Sequence, residues 1–235
     1  MTRAIPPRDK RRGFSHNLMK KRLSRLLAIS AIAFGVNSGV SAAKTHETLF
    51  VENNAPISLE NIKAPQRQLE IGKNYLKGVN GFPRDEAQAY GWLMESAKAG
   101  NAQAQLEIYL LHVSDASLEQ RGKEGLPWLT KASDSGLAKA QFLLAMLHDP
   151  LFSEPEAPNQ AKALIQALEV KPDAQLALRL YINAAEQNFT DAQMALGVML
   201  HDGDFVRQNK EEAKRWFGKA CDNGIAFGCK LYREL

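Results

Sequence analysis

The sequence predicts an all-α protein, a right-handed α-solenoid of about four helix-turn-helix repeats closed by a C-terminal helix, and three observations predict it. Ala102-Gln103-Ala104-Gln105 recurs as Ala138-Lys139-Ala140-Gln141 and as Thr190-Asp191-Ala192-Gln193, so the central alanine returns after 36 and then 52 residues. Trp92, Trp128, Leu180 and Trp216 are spaced by 36, 52 and 36. Gly100, Gly136, Asn188 and Gly224 each follow one of those four anchors by eight residues. Landmarks that share one register mark a repeat array, whose units bury their apolar faces only against their neighbours.

The composition of the 235-residue chain, 45% apolar and 24% charged, excludes collagen-like, coiled-coil and wholly disordered classes. Its net charge of +4 is uneven. Residues 1–42 hold nine basic side chains against the single acid Asp9, which leaves the remainder at −4. A mildly acidic body gives no reason to expect nucleic-acid binding, which needs clustered Lys and Arg.

The first element, 1–42, reads as an export leader. Met19-Lys20-Lys21-Arg22 is its basic segment, Leu26 to Val36 its apolar stretch, and Val40-Ser41-Ala42 supplies small residues for cleavage after Ala42. Met19 would open a leader of ordinary length, and Arg11-Arg12-Gly13-Phe14 resembles part of a twin-arginine signal, although Sec export fits the position of the apolar stretch better. Eleven apolar residues fall short of the roughly 20 that span a bilayer, so no permanent membrane span is expected. The polar stretch 43–63 has no periodicity and reads as a flexible lead-in.

The repeats follow over 64–235, as units of about 64–100, 101–136, 137–188 and 189–224 with a cap at 225–235. In each first helix small and apolar residues fall on one stripe, as with Ala192, Leu196 and Met199. Second helices start at the N-capping residues Asp85, Asp173 and Asn209 and stop at the Gly or Asn eight residues past the anchor. Gly72, Ala145 and Gly197 share one first-helix position, which lets the partner helix approach while the tryptophan fills the space beside it. Unit two departs from this, with Tyr109 at that position and with Pro127 before Trp128, so a kinked or late-starting second helix is expected. The surplus 16 residues of unit three place an insertion near 150–172, with a helix from Gln160 to Val170.

These residues resemble the Sel-one-like repeats, relatives of the tetratricopeptide repeats. The likeness covers about Gln66 to Leu235 and is strongest where Ala192, Leu196-Gly197, Gly203, Asn209, Ala213, Trp216, Lys219-Ala220 and Gly224 stand in the family pattern. The terminal unit is similar to the cysteine-rich bacterial subgroup, and that resemblance implies a disulfide between Cys221 and Cys229, which in an exported protein is simpler than a metal site. Two buried free thiols are the other reading.

Chemistry is hard to find. His112 and His148 share the register of Tyr75, with His201 one residue away, but imidazoles on helices stacked 8–10 Å apart do not converge on one ion, and no metal is expected. Some cysteine-rich relatives bind penicillin or act as weak β-lactamases, yet the only Ser-x-x-Lys, Ser41 to Lys44, straddles the cleavage site. No nucleophile elbow, zinc-protease motif or phosphate loop is present. No catalytic residue and no cofactor are therefore expected. The function read from the sequence is a non-catalytic exported adaptor of the bacterial cell envelope, the alternative being a weak hydrolase or binder of cell-wall-derived compounds. The partner is another protein, held on a concave face by Leu110, Leu143, Met146, Met194 and Met199.

Overall fold

The computed structural model describes residues 51–52, 55–56, 63–113, 118–155 and 157–235; the expected leader and its cleavage site lie outside them. Within the lead-in, β1 (Val51–Glu52) pairs antiparallel with β2 (Ala55–Pro56), Val51 opposite Pro56. The sequence offers no sign of this ladder, because two-residue strands are too short to show alternation. The rest of the described chain is helical. Its helices fall into two bodies, one comprising described residues up to Leu144 together with 167–169, the other 145–166 and 170–235.

In the first body α1 (Pro65–Lys77), α2 (Glu86–Lys98), α3 (Ala102–Val113) and α4 (Leu118–Asp134) pack in succession, each on the next. Asp85 caps α2 by accepting from the Gln88 amide at 2.9 Å. Leu69, Leu93, Ala97, Ala104 and Ile108 form one core cluster, while Tyr75 meets Phe82 edge to face at 5.0 Å in another. α5 (Ala138–His148) begins in this body and ends in the second.

In the second body α6 (Asn159–Leu168) follows a 3-10 turn at Pro150–Ser153, and α7 (Ala174–Glu186), α8 (Thr190–Asp202), α9 (Lys210–Asp222) and α10 (Ala226–Glu234) then pack in order. The inserted helix sits within two residues of its predicted span. The insertion leaves its hairpin closed. The Asp173 amide donates to the His148 carbonyl at 2.7 Å, as the Asp85 amide does to Tyr75 and the Asn209 amide to Leu200 at 3.0 and 2.8 Å. One hydrogen bond thus recurs in three units, whether the intervening loop is short or carries a helix. Buried Asp149 fixes the base of the insertion, accepting from the Leu151 amide at 2.9 Å and from the Tyr181 hydroxyl at 3.1 Å. Burial and then the Asp149 charge push the Tyr181 hydroxyl well above its ordinary pKa.

Three sequence expectations need correction. Of the two outcomes expected at Pro127 the late start does not occur: helix α4 starts nine residues before it and holds the proline inside, because Pro127 is exposed and the carbonyl it leaves without a donor can be hydrated. In unit two the close approach moves to the second helix: a Cβ on Gly125 would stand 2.7 Å from His112 Cβ, so Gly125 makes the room that Tyr109, itself buried, does not. The third concerns the anchors. A Cβ on Gly72 would meet Leu93 at 2.6 Å and one on Gly197 would meet Phe217 at 2.5 Å. In units one and four the residue after the anchor therefore fills the glycine notch, and in all four units that residue, Leu93, Leu129, Tyr181 or Phe217, is sealed from solvent. Of the anchors themselves Leu180 and Trp216 are buried and Trp92 and Trp128 half-buried, and Trp128 and Trp216 are covered by the ammonium groups of Lys131 and Lys219, 4.4 and 4.1 Å from the ring centroids.

The recurring Gln has a role that the repeat register did not disclose. Buried Gln105, Gln141 and Gln193 each donate a side-chain amide to a carbonyl eight residues upstream, on Ala97, Ser133 and Ala185, at 3.1, 3.4 and 3.2 Å. Each adds a second donor to a C-terminal helix carbonyl that also accepts from the amide of Gly100, Gly136 or Asn188, and so ties one helix to the end of the one before it. The Gly or Asn stops adopt the left-handed conformation, with φ of 91° at Gly100, 83° at Gly136, 62° at Asn188 and 90° at Gly224.

The caps carry a pH dependence. Asp173 accepts from the Leu176 and Gln175 amides, and chiefly the Leu176 bond holds its carboxyl below the ordinary range. A depressed folded-state pKa contributes stability that is complete above the unfolded value near about 4 and is lost as pH falls through the folded value. Asp173→Asn keeps a capping oxygen but cannot titrate. Thermal unfolding is expected to lose less stability between about pH 5 and 3 in that variant than in the parent protein; parallel losses would remove Asp173 from the account.

Candidate interaction face

The face proposed from sequence rests on Leu110, Leu143, Met146, Met194 and Met199. Leu110 is half-buried, but the other four are less than a tenth exposed, so they belong to the interior and form no open surface. First helices that are apolar on several sides read equally well as surface or core in sequence, and burial decides for core.

Helix α8 shows how that burial is arranged. Gly197 faces Phe217 of α9, and Gln193 reaches the end of α7 while its carbonyl oxygen accepts from Asn223 at 3.0 Å. Successive residues turn by 100°. The side opposite this seam therefore carries Asp191, Ala195, Val198 and Asp202, flanked by Met194 and Met199. Two packed neighbours do not require this side to be covered, yet nine consecutive residues, Ala192 to Leu200, are buried. Helix α1 buries only Leu69, Ile71, Gly72 and Tyr75. The α8 stripe is apolar in the middle, with Ala195 4% and Val198 2% exposed, and acidic at both ends, which stand about 16 Å apart at 1.5 Å per residue. Asp191 lies in the first turn, where the helix dipole favours an anion. Asp202 and exposed Asp204 lie at the opposite end, where it does not, and a cation there is favoured. Nδ1 of His201 is 2.9 Å from Asp202 Oδ1.

The remaining singled-out residues are structural. His112 stacks on Tyr90 with ring centroids 5.9 Å apart, and His148 Nδ1 lies 3.0 Å from the Lys171 carbonyl. Among the described residues no group of three or more His, Cys, Asp or Glu side chains is placed to hold a metal, and no helix is long and apolar enough to cross a membrane. Cys221 and Cys229 form a disulfide that ties α9 to α10 across a Cα separation of 4.5 Å.

Helix pairs with a glycine notch, an inward residue after an aromatic anchor and a buried glutamine clamp define an all-α repeat protein of the α-solenoid class. The family described as Sel1 repeat matches residues 68–101, 163–189 and 190–225, so this chain carries Sel1 repeats. The second unit, where Tyr109 and Pro127 depart from the pattern, lies outside the match. A Sel1 repeat protein from Oxalobacter formigenes shares the fold with a TM-score of 0.60 at 22% identity, covering 97% of this chain and 60% of that one. A protective antigen present in uropathogenic Escherichia coli strains, displaying an SLR fold, aligns with a TM-score of 0.59 at 26% identity over 74% of this chain and 35% of its own. Chitin synthase regulatory factor 3 of Schizosaccharomyces pombe is 28% identical over 131 residues, 55% of this chain, which spans only 12% of that protein. Sel1-repeat proteins typically serve as protein-interaction scaffolds and are generally non-catalytic.

Proposed function

We propose that this protein is an exported, non-catalytic adaptor of the cell envelope that binds another protein. One observation carries the reading: the chain carries Sel1 repeats, and proteins built of them typically serve as protein-interaction scaffolds. The basic leader and the cysteine pair support export.

Crosslinking in living cells is expected to capture one envelope protein with the full chain, and capture of none would refute the adaptor reading. Nitrocefin turnover by the purified protein is expected at background; turnover that survives further purification would replace the adaptor with the hydrolase.

A further inference from the structure

Helix α10 stands in the register of a fifth first helix. Ala226 follows Thr190 by 36 residues, and Cys229 follows Gln193 by 36, at the position that Gln105 and Gln141 fill in earlier units. Cys221 likewise follows Ala185 by 36, in the register of Ala97 and Ser133, whose carbonyls the glutamine clamps hold. The backbone repeats with them. The Gly224 amide donates to the Cys221 carbonyl at 2.9 Å, as the Gly100, Gly136 and Asn188 amides do to Ala97, Ser133 and Ala185 at 3.1, 2.9 and 3.1 Å. Gly228 replaces the alanine of the earlier units, Ala104, Ala140 and Ala192, and a Cβ on it would stand 3.0 Å from the Phe217 carbonyl. At this close approach the Cα atoms of Cys221 and Cys229 are 4.5 Å apart, and the tie between the two helices is covalent.

We propose that the Cys221–Cys229 disulfide is a redox-operated counterpart of the glutamine clamp: oxidised, it locks α10 onto α9; reduced, it opens that one joint while the glutamine joints stay shut. A glutamine amide holds its carbonyl in any redox state, whereas a disulfide holds only until a dithiol reaches it. One thiolate of the dithiol attacks a cysteine sulfur, the S–S bond breaks, and the other cysteine leaves as a thiolate that takes up a proton. The second thiol of the reductant then closes its own disulfide and releases the first cysteine, so two electrons have passed from the dithiol to the pair. Neither cysteine is buried. Tyr232 and Arg233, in the register of the buried Leu196 and Gly197, are exposed, so α10 lacks the cover that α8 receives on that side and depends more on its clamp.

Hydrogen exchange of the full chain, followed by mass spectrometry with the α8 amides as reference, tests the clamp. Dithiothreitol is expected to speed exchange of the α10 amides roughly fiftyfold and to leave α8 unchanged, and reoxidation with glutathione disulfide is expected to restore the slow rate. The register supplies a second arm. The pair Cys221→Ala and Cys229→Gln is expected to exchange about fivefold more slowly at α10 than the pair Cys221→Ala and Cys229→Ala, the effect of one hydrogen bond, and to ignore dithiothreitol. Slow α10 exchange after complete reduction, checked by thiol alkylation, would overturn the switch. Equal exchange in the glutamine and alanine pairs would overturn the equivalence of disulfide and clamp. Loss of α8 protection together with that of α10 would overturn the proposal as well, since the opening would then extend beyond one joint.

Discussion

Replacing Phe217 with alanine is expected to cost about 4 kcal/mol, roughly a 15 °C drop in the melting temperature of the second body. Phe217 is sealed from solvent and lies in the notch that Gly197 leaves on α8, so its removal opens a cavity between two helices whose backbones cannot easily close on it. The same comparison within one helix of the first body separates the anchor from its neighbour. Leu93→Ala is expected to cost about 3 kcal/mol, whereas Trp92→Ala, a larger truncation at a half-buried position, is expected to cost about 1.5 kcal/mol. Urea unfolding of the three variants decides it; a tryptophan that costs more than its neighbour would restore the sequence-based assignment. Gly197→Ala supplies a sign test. In the parent chain its Cβ would come within 2.5 Å of the Phe217 ring and is expected to destabilise by about 2 kcal/mol. In the Phe217→Ala background the ring is gone, and the same substitution is expected to stabilise by about 1 kcal/mol through helix propensity.

The second large effect is expected from the Cys221–Cys229 bridge. It closes a loop of eight residues between the end of α9 and the body of α10. Chain-entropy arguments give such a loop about 2.5 kcal/mol. Helix α10 has nine residues, too short to persist without docking, and of its side chains only Leu231 makes a large buried contact. Its other close contacts are Gly228 against the Phe217 carbonyl and the exposed Tyr232 over Gly218. Reduction, or Cys221→Ala with Cys229→Ala, is therefore expected to lower the melting temperature by roughly 10 °C and to release the α10 amides to hydrogen exchange while those of α7 and α8 keep their protection. Retained protection of α10 after reduction would show that packing alone holds it.

Much of this architecture is local, and what is local was legible. Asp85, Asp173 and Asn209 cap because a short side-chain oxygen reaches an amide two or three residues on, whatever surrounds it. Gly100, Gly136, Asn188 and Gly224 stop helices because few residues tolerate a positive φ. The surplus of 16 residues announced a helix within two residues of where it lies. The interaction face was harder to read, because Leu143, Met146, Met194 and Met199 lie on helices apolar on several sides, and composition alone cannot say which side is covered.

By itself, then, the sequence determined the helices, their stops and their repeat register, since each depends on the conformational preferences of a few adjacent residues. Only the tertiary structure decided that Leu93 and Phe217, each the residue after a tryptophan, fill the glycine notches. One residue turns a helix by 100°, and which of two adjacent apolar residues enters the notch depends on where the neighbouring glycine lies. The same holds for the Gln193 clamp and the closed base of the insertion, where the Ala185 and His148 carbonyls are supplied by other helices.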